Sequence, residues 1–214
     1  MAGIPGQTAG PMPPPPPARR LILASASPAR RRLLVGAGFD PEVIVSGVDE
    51  EGFEAADLPG LVTALAAAKA EAVAGRPEAA GAVIVGCDSL LDVDGVAHGK
   101  PAGDAEARAR LQGLRGRSAI LRTGHCLIDK ATGRRAAGAA ATEVAFSRFT
   151  DAELEAYLAT GEPLHVAGAF TLDGRSGPFV ERLIGDHGNV IGLSLPLFRT
   201  LLADIGLTVM DLWS

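Results

Sequence analysis

Cations and hydroxyls cluster early in the chain, in the run Leu23-Ala24-Ser25-Ala26-Ser27-Pro28-Ala29-Arg30-Arg31-Arg32. Ser27 is a good N-cap, and Pro28 suits the first helical position, where its missing N–H loses nothing. A helix starting there exposes unpaired N–H groups and the positive end of its dipole. Serine hydroxyls add donors, and Arg30, third in the helix, can fold back over the same spot. Such a turn would cradle phosphate. The alternative is a capped amphipathic helix whose arginines are solvated.

The acids that could act beside such a cradle come later. Asp88 follows the apolar run Ala82-Val83-Ile84-Val85-Gly86-Cys87. As a strand-end carboxylate it would stand where open α/β sheets place their ligand crevice. It could serve there as a general base or as a ligand for a hard cation, or it could simply make a turn hydrogen bond. Asp49-Glu50-Glu51 is ordinarily a solvated loop; it matters if the same crevice needs a second carboxylate to hold Mg²⁺ beside a triphosphate. Lys69 lies in line with Leu61, Leu65, Ala68 and Ala72, so it either snorkels past the core edge or points into a site. Lys100 sits in Gly99-Lys100-Pro101, where glycine allows close backbone approach and proline fixes the exit. Either lysine alone would read as a surface residue. Gly185-Asp186-His187-Gly188 reads better as a turn than as a metal site, and His98, His125 and His165 lack ligand spacing. No nucleophile elbow, P-loop or zinc signature is present.

These residues need a scaffold, and the pattern predicts an α/β fold with a mixed sheet. Leu21–Ala24, Val43–Val45, Ala82–Cys87, Ala119–Ile128 and Thr142–Phe149 read as strands. Leu90 to Ala97 reads as a hairpin turning at Asp94-Gly95. Helices are expected from Pro28 to about Val35, from about Gly60 to Ala74, and from a cap at Asp104 to about Leu114. Thr150 and Glu153 make a capping box for another, and Ser194-Leu195-Pro196 opens a last one. Residues 1–18, with the run Pro13 to Pro17, read as a disordered Pro-rich tail before a single domain over 19–214.

Bulk properties narrow the class of partner. A formal net charge of -5 argues against a nucleic-acid polymer, whose binders carry broad basic surfaces, but leaves room for a small phosphate ligand. The two cysteines, Cys87 and Cys126, lie in apolar stretches and read as buried free thiols. Neither a secretory leader nor a membrane span is evident, which points to the cytoplasm.

Taken together, the segments resemble the Maf family of nucleoside triphosphate pyrophosphatases. The matching stretches are Leu23 to Arg30, Val48-Asp49-Glu50, Ala68-Lys69-Ala70, Gly86-Cys87-Asp88-Ser89, Gly99-Lys100-Pro101 and Leu114-Arg115-Gly116-Arg117. They continue through Arg122-Thr123-Gly124, Thr160-Gly161-Glu162-Pro163, Ala167-Gly168-Ala169-Phe170 and Asn189-Val190-Ile191-Gly192-Leu193. The resemblance implies a fold similar to inosine-triphosphate pyrophosphatase, with a twisted mixed sheet flanked by helices and two lobes around a central cleft. It implies hydrolysis of a nucleoside triphosphate to the monophosphate and pyrophosphate, with a divalent metal such as Mg²⁺ or Mn²⁺. Position by position, Asp88 matches the catalytic base, and Ser25, Arg30, Lys69 and Lys100 match phosphate-binding residues. Glu50 matches a second acid, which with Asp88 would hold the metal.

Ala29, Ser89 and Asp173 fall where the family's branches differ. The branch acting on thymidine and uridine triphosphates has Arg, Thr and Gln there; the branch acting on methylated guanosine triphosphate has Trp, Gln and Glu. Ser89 and Asp173 are therefore candidate substrate contacts, with the base unassigned. A lysine usual before the Ala-Gly-Ala stretch is Val166 here. The resemblance also implies a homodimer and, as an alternative function, a nucleotide-binding regulator of septum formation with little turnover.

Overall fold

The computed structural model describes residues 18–50 and 52–214. The Pro-rich tail expected over 1–18 lies outside the described residues apart from Ala18, as does Glu51. The strands are β1 (Leu21–Leu23), β2 (Glu42–Val43), β3 (Val83–Val93), β4 (Val96–His98), β5 (Ser118–Asp129), β6 (Arg135–Phe146) and β7 (Val180–Ile184). The helices are α1 (Pro28–Gly36), α2 (Leu58–Ala74), α3 (Asp104–Leu114), α4 (Asp151–Leu158), α5 (His187–Ile191) and α6 (Leu195–Asp204). One sheet runs in the order β2-β1-β3-β5-β6-β7, with β4 paired to β3. β1 is parallel to both β2 and β3. The pairs β3–β4, β3–β5, β5–β6 and β6–β7 are antiparallel, so the sheet is mixed, as expected.

Side-chain alternation sorts the strands' apolar residues onto two faces. Leu21, Leu23, Val83, Val85 and Cys87 pack with Leu34 of α1 and with Phe198, Leu201 and Leu202 of α6. Ile22, Ile84 and Cys126 face the other way, against Ala66, Ala70 and Val73 of α2. A further cluster covers the far end, where α3 and α4 pack Leu111, Leu114, Leu154 and Tyr157 against Leu91, Leu121, Val144 and Phe146.

Two glycines bring α2 onto the sheet. A Cβ on Gly86 would lie 2.2 Å from the Ala66 carbonyl oxygen, and one on Gly124 would lie 2.0 Å from that of Val62. Only a residue without a side chain lets the helix backbone ride directly on β3 and β5 at these points.

Several boundaries differ from the sequence reading. Asp88 does not end a strand: β3 runs on through it into the hairpin, which does turn at Asp94-Gly95. β2 covers only Glu42–Val43, although the Ile44 N–H still donates to the Leu23 carbonyl of β1 at 3.1 Å. The cap of α3 is Gly103 rather than Asp104, which instead places its charge in the first turn. β6 begins at Arg135, because the small residues Ala136 to Ala141 pair along β5 without an apolar signature of their own. The caps at Ser27, Thr150 and Ser194 form as read.

Candidate active site

The continuity of β3 sets the geometry of the site. On one edge, β1 accompanies β3 from Val83 to Val85, and β4 joins it from Leu91 to Val93. Between them, Gly86 to Leu90 has no strand partner on that edge among the described residues. A cavity of about 960 Å³ opens there. Its lining includes Ser25, Arg30, Glu50, Lys69, Asp88, Ser89, Lys100 and Asp173. Every candidate from the sequence thus reaches one space.

Successive residues of a strand point to opposite faces, and at an open edge both faces border the same gap. Asp88 shares the α2 side with Ile84 and Gly86. There Lys69 Nζ lies 2.5 Å from Asp88 Oδ1 and 2.6 Å from Glu50 Oε1. Asp88 and Lys69 are buried, whereas the Glu50 side chain is half exposed at the rim. Lys69 therefore does not snorkel to bulk solvent; its ammonium bridges two acids.

Ser89 emerges on the side of α1, where Arg30 spans the cavity wall. The Arg30 guanidinium donates from Nε to the Gly192 carbonyl at 2.7 Å, and to Ser25 Oγ and Ser89 Oγ at 3.0 Å each. Ser25 Oγ also accepts from the Ser27 N–H at 3.2 Å, and Ser27 Oγ caps α1 at the Arg30 N–H. With two donors already directed at it, the Ser25 oxygen has its own hydrogen free for a ligand.

Lys100 is exposed on the opposite lip, in the turn leaving β4. Asp173 lies on a loop at the mouth, tied to Arg32 at 2.7 Å and to the Thr171 hydroxyl at 2.5 Å. Burial pushes the Asp173 carboxyl up, but the hydrogen bonds from Thr171 and Arg32 outweigh it and leave it below the usual carboxylate range. The Arg32–Asp173 tie escaped the sequence reading, since a third consecutive arginine carries no signal of its partner.

The thiols stay out of this chemistry. Cys87 and Cys126 are buried and free, and burial pushes Cys87 up to about 12 and Cys126 to about 11. Neither is a thiolate nucleophile near neutral pH. Gly185 to Gly188 opens a helix rather than forming a turn: the Asp186 carboxylate caps α5 through the Gly188 and Asn189 N–H groups.

The donor set fits a hard divalent cation. Two carboxylates face one point already occupied by a positive charge, and the adjacent cationic groups could carry a polyphosphate. Among the described residues no group of three or more His, Cys, Asp or Glu converges. Two acids completed by phosphate oxygens and water is the usual way Mg²⁺ is held beside a triphosphate.

Comparison with known proteins agrees with this architecture. The family model described as Maf-like protein matches residues 20–205. A nucleoside triphosphate pyrophosphatase of Streptomyces coelicolor is 59% identical over 182 residues, covering 85% of this chain and 88% of the relative. Proteins of the same name from Streptomyces avermitilis (58%, covering 85% and 88%) and Gloeothece citriformis (52%, covering 85% and 92%) align comparably. No helix among the described residues is long and apolar enough to cross a membrane. The match over nearly all of the described chain, together with these relatives, establishes that the chain belongs to the Maf-like protein family.

Proposed function

We propose that the chain hydrolyses a nucleoside triphosphate between its α- and β-phosphates, releasing the monophosphate and pyrophosphate and so cleansing nucleotide pools. The observation that carries this reading is the convergence of Asp88, Glu50, Lys69, Arg30 and Lys100 on one cavity. The relatives' shared name points to the same reaction.

Asp88 acts as the base. Its Oδ1 is engaged by Lys69, and its Oδ2 has no hydrogen bond among the described residues. That oxygen accepts a proton from a water attacking the α-phosphorus. As the new P–O bond forms, the bond to the bridging oxygen breaks, and pyrophosphate departs with the electron pair. Arg30, Lys69, Lys100 and the Ser25 hydroxyl hold the phosphate chain and neutralise charge developing on it. Asp88 and Glu50 would hold the divalent cation, Mg²⁺ or Mn²⁺, which when bound supplies Lewis-acid polarisation of phosphate oxygens. The same reading makes residues 19–214 one catalytic domain working in the cytoplasm.

The test is a panel of ordinary and modified nucleotides assayed for pyrophosphate rather than orthophosphate. General-base help is worth roughly 10²–10⁴ in rate, so Asp88→Asn should lose at least about 100-fold in kcat while still binding nucleotide. Near-normal turnover by that variant would overturn the assignment. Binding without pyrophosphate release across the whole panel would instead favour a regulator that does not turn over.

A further inference from the structure

Ser89 Oγ lies 2.9 Å from Thr123 Oγ1, and Thr123 Oγ1 lies 3.0 Å from the Asn189 carbonyl oxygen. A carbonyl can only accept, so the Thr123 hydrogen goes to Asn189. Thr123 Oγ1 must then accept, and the Ser89 hydrogen goes to Thr123. Ser89 Oγ is left as an acceptor, which is what the Arg30 Nη group requires at 3.0 Å. The chain of donors runs one way: Arg30 to Ser89 to Thr123 to Asn189. Each member polarises the next in a site shielded from water, since Thr123 and Asn189 are fully buried.

The end of this chain returns to its beginning. Asn189 and Gly192 bound the last turn of α5; the Asn189 carbonyl also accepts from the Gly192 N–H at 3.1 Å, and the Gly192 carbonyl accepts from Arg30 Nε. Arg30 is thus held at Nε directly by α5 and at one Nη through two hydroxyls anchored on the same turn. Of the five N–H bonds of a guanidinium, three are spent on protein. The two remaining suit a bidentate grip on a phosphate.

From this ring of contacts we infer that Thr123 is a positioning residue for triphosphate binding. It does not line the cavity; it acts through Ser89, fixing the hydroxyl rotor so that Arg30 keeps its free N–H bonds on the phosphate chain. Ser89 correspondingly has no hydrogen to give a substrate and serves Arg30. This inference rests on the proposed reaction for its kinetic readout, so the experiment adds one that needs no turnover.

Thr123→Val keeps the side-chain shape and removes the relay, while the Asn189 carbonyl retains the Gly192 N–H. The variants Thr123→Val, Thr123→Ser and Ser89→Ala, and the double variant with Thr123→Val and Ser89→Ala, are compared with wild type in metal-supported turnover and in binding of inorganic tripolyphosphate by calorimetry. The Arg30 Nε–H exchange rate is read by NMR. Loss of a share of one charge-assisted hydrogen bond predicts a KM and a tripolyphosphate Kd raised roughly five- to tenfold for Thr123→Val. kcat changes much less, Nε–H exchange speeds up, and Thr123→Ser restores all three. In the Ser89→Ala background, Thr123→Val adds nothing, because its path is already cut. Wild-type values for Thr123→Val in binding and exchange, or full additivity in the double variant, overturn the inference. A wild type that binds tripolyphosphate and shows the variant effects, yet releases no pyrophosphate from any nucleotide, defeats the proposed reaction and leaves the positioning role standing.

Discussion

Lys69 Nζ stands 2.5 Å from Asp88 Oδ1 because the backbone of α2 lies in direct contact with β3 two residues earlier, at Gly86. Gly86 meets α2 at Ala66 and Ala70, and Lys69, between those two residues on the helix, reaches the next even-numbered residue of the strand. The same ammonium also takes Glu50 from the loop beyond β2, so one charge gathers acids from two separate segments. The spacing of the site is therefore a consequence of helix-to-sheet distance.

Replacing Gly86 tests that dependence. In Gly86→Ala the new methyl would fall 2.2 Å from the Ala66 oxygen and 2.8 Å from the Ala70 nitrogen, both backbone atoms that cannot swing aside. The helix must shift outward and carry Lys69 with it. Overpacking of this kind costs about 1–3 kcal/mol or more. The expected result is a lowered midpoint in chemical denaturation and a loss of turnover larger than the folded fraction explains. Full activity in the folded fraction would show that Lys69 is not held by this contact.

The Lys69–Asp88–Glu50 arrangement makes an asymmetric prediction. Lys69→Met leaves Asp88, 6% exposed, without its counter-ion, and breaking one side of a buried pair costs about 3 kcal/mol. Asp88→Asn leaves Lys69 still paired with Glu50 at the rim, so it should cost roughly 1 kcal/mol. Added Mg²⁺ should raise the melting temperature of Lys69→Met more than that of wild type, because a cation there restores the lost neutralisation. Thermal and urea unfolding of both variants, with and without Mg²⁺, gives the comparison. Equal losses would mean that the pair is far better solvated than its burial implies.

Most of what the sequence made legible was local. Ser27-Pro28, Thr150 with Glu153, and Asp94-Gly95 announce themselves because caps and tight turns are settled by a few adjacent residues. The candidate residues were all visible too, though their gathering in one cavity rested on resemblance to a family. What stayed hidden was long-range. Asp88 read as a strand end because polar Asp88-Ser89 interrupts the apolar run, whereas β3 continues there through pairing with Gly124 and Thr123 of β5. The alanine-rich start of β6 carries no alternation, and only its neighbour β5 makes it a strand. The route from Thr123 through Ser89 to Arg30 joins residues 34 and 59 positions apart, beyond any local pattern.

Acid should weaken the fold through His125. This ring is fully buried, with Nδ1–H donating to the Thr123 carbonyl at 3.0 Å and Nε2 accepting from the Ser194 N–H at 2.8 Å. Both nitrogens are thus committed to the neutral form, and burial, chiefly, pushes the imidazole from 6.5 down to about 4. A histidine depressed in the folded state takes up protons preferentially when unfolded. Its contribution is complete above about pH 6.5 and declines as pH falls toward 4, by about 3 kcal/mol in all. Urea unfolding at half-unit steps from pH 7.5 to roughly 4 should show this decline, and His125→Asn should flatten it while lowering stability throughout. An unchanged pH slope in the variant would assign the acid sensitivity to other groups.

Asp173 offers a test of substrate choice that leaves the reacting bond alone. Its carboxylate is held ionised by Arg32 and Thr171, so it presents acceptor oxygens only, at the mouth of the cavity. A nucleobase offering N–H donors would be favoured there over one offering acceptors. Asp173→Asn adds donors in the same shape and breaks the tie to Arg32. A site built to pair with a given donor discriminates through the partner left unpaired, so the variant should reorder kcat/KM across the nucleotide panel by about tenfold for some bases. Binding of inorganic tripolyphosphate, which has no base, should hardly change. If all nucleotides and tripolyphosphate weaken together, Asp173 acts on the phosphate end or on the loop as a whole, and its position at the mouth has no part in reading the base.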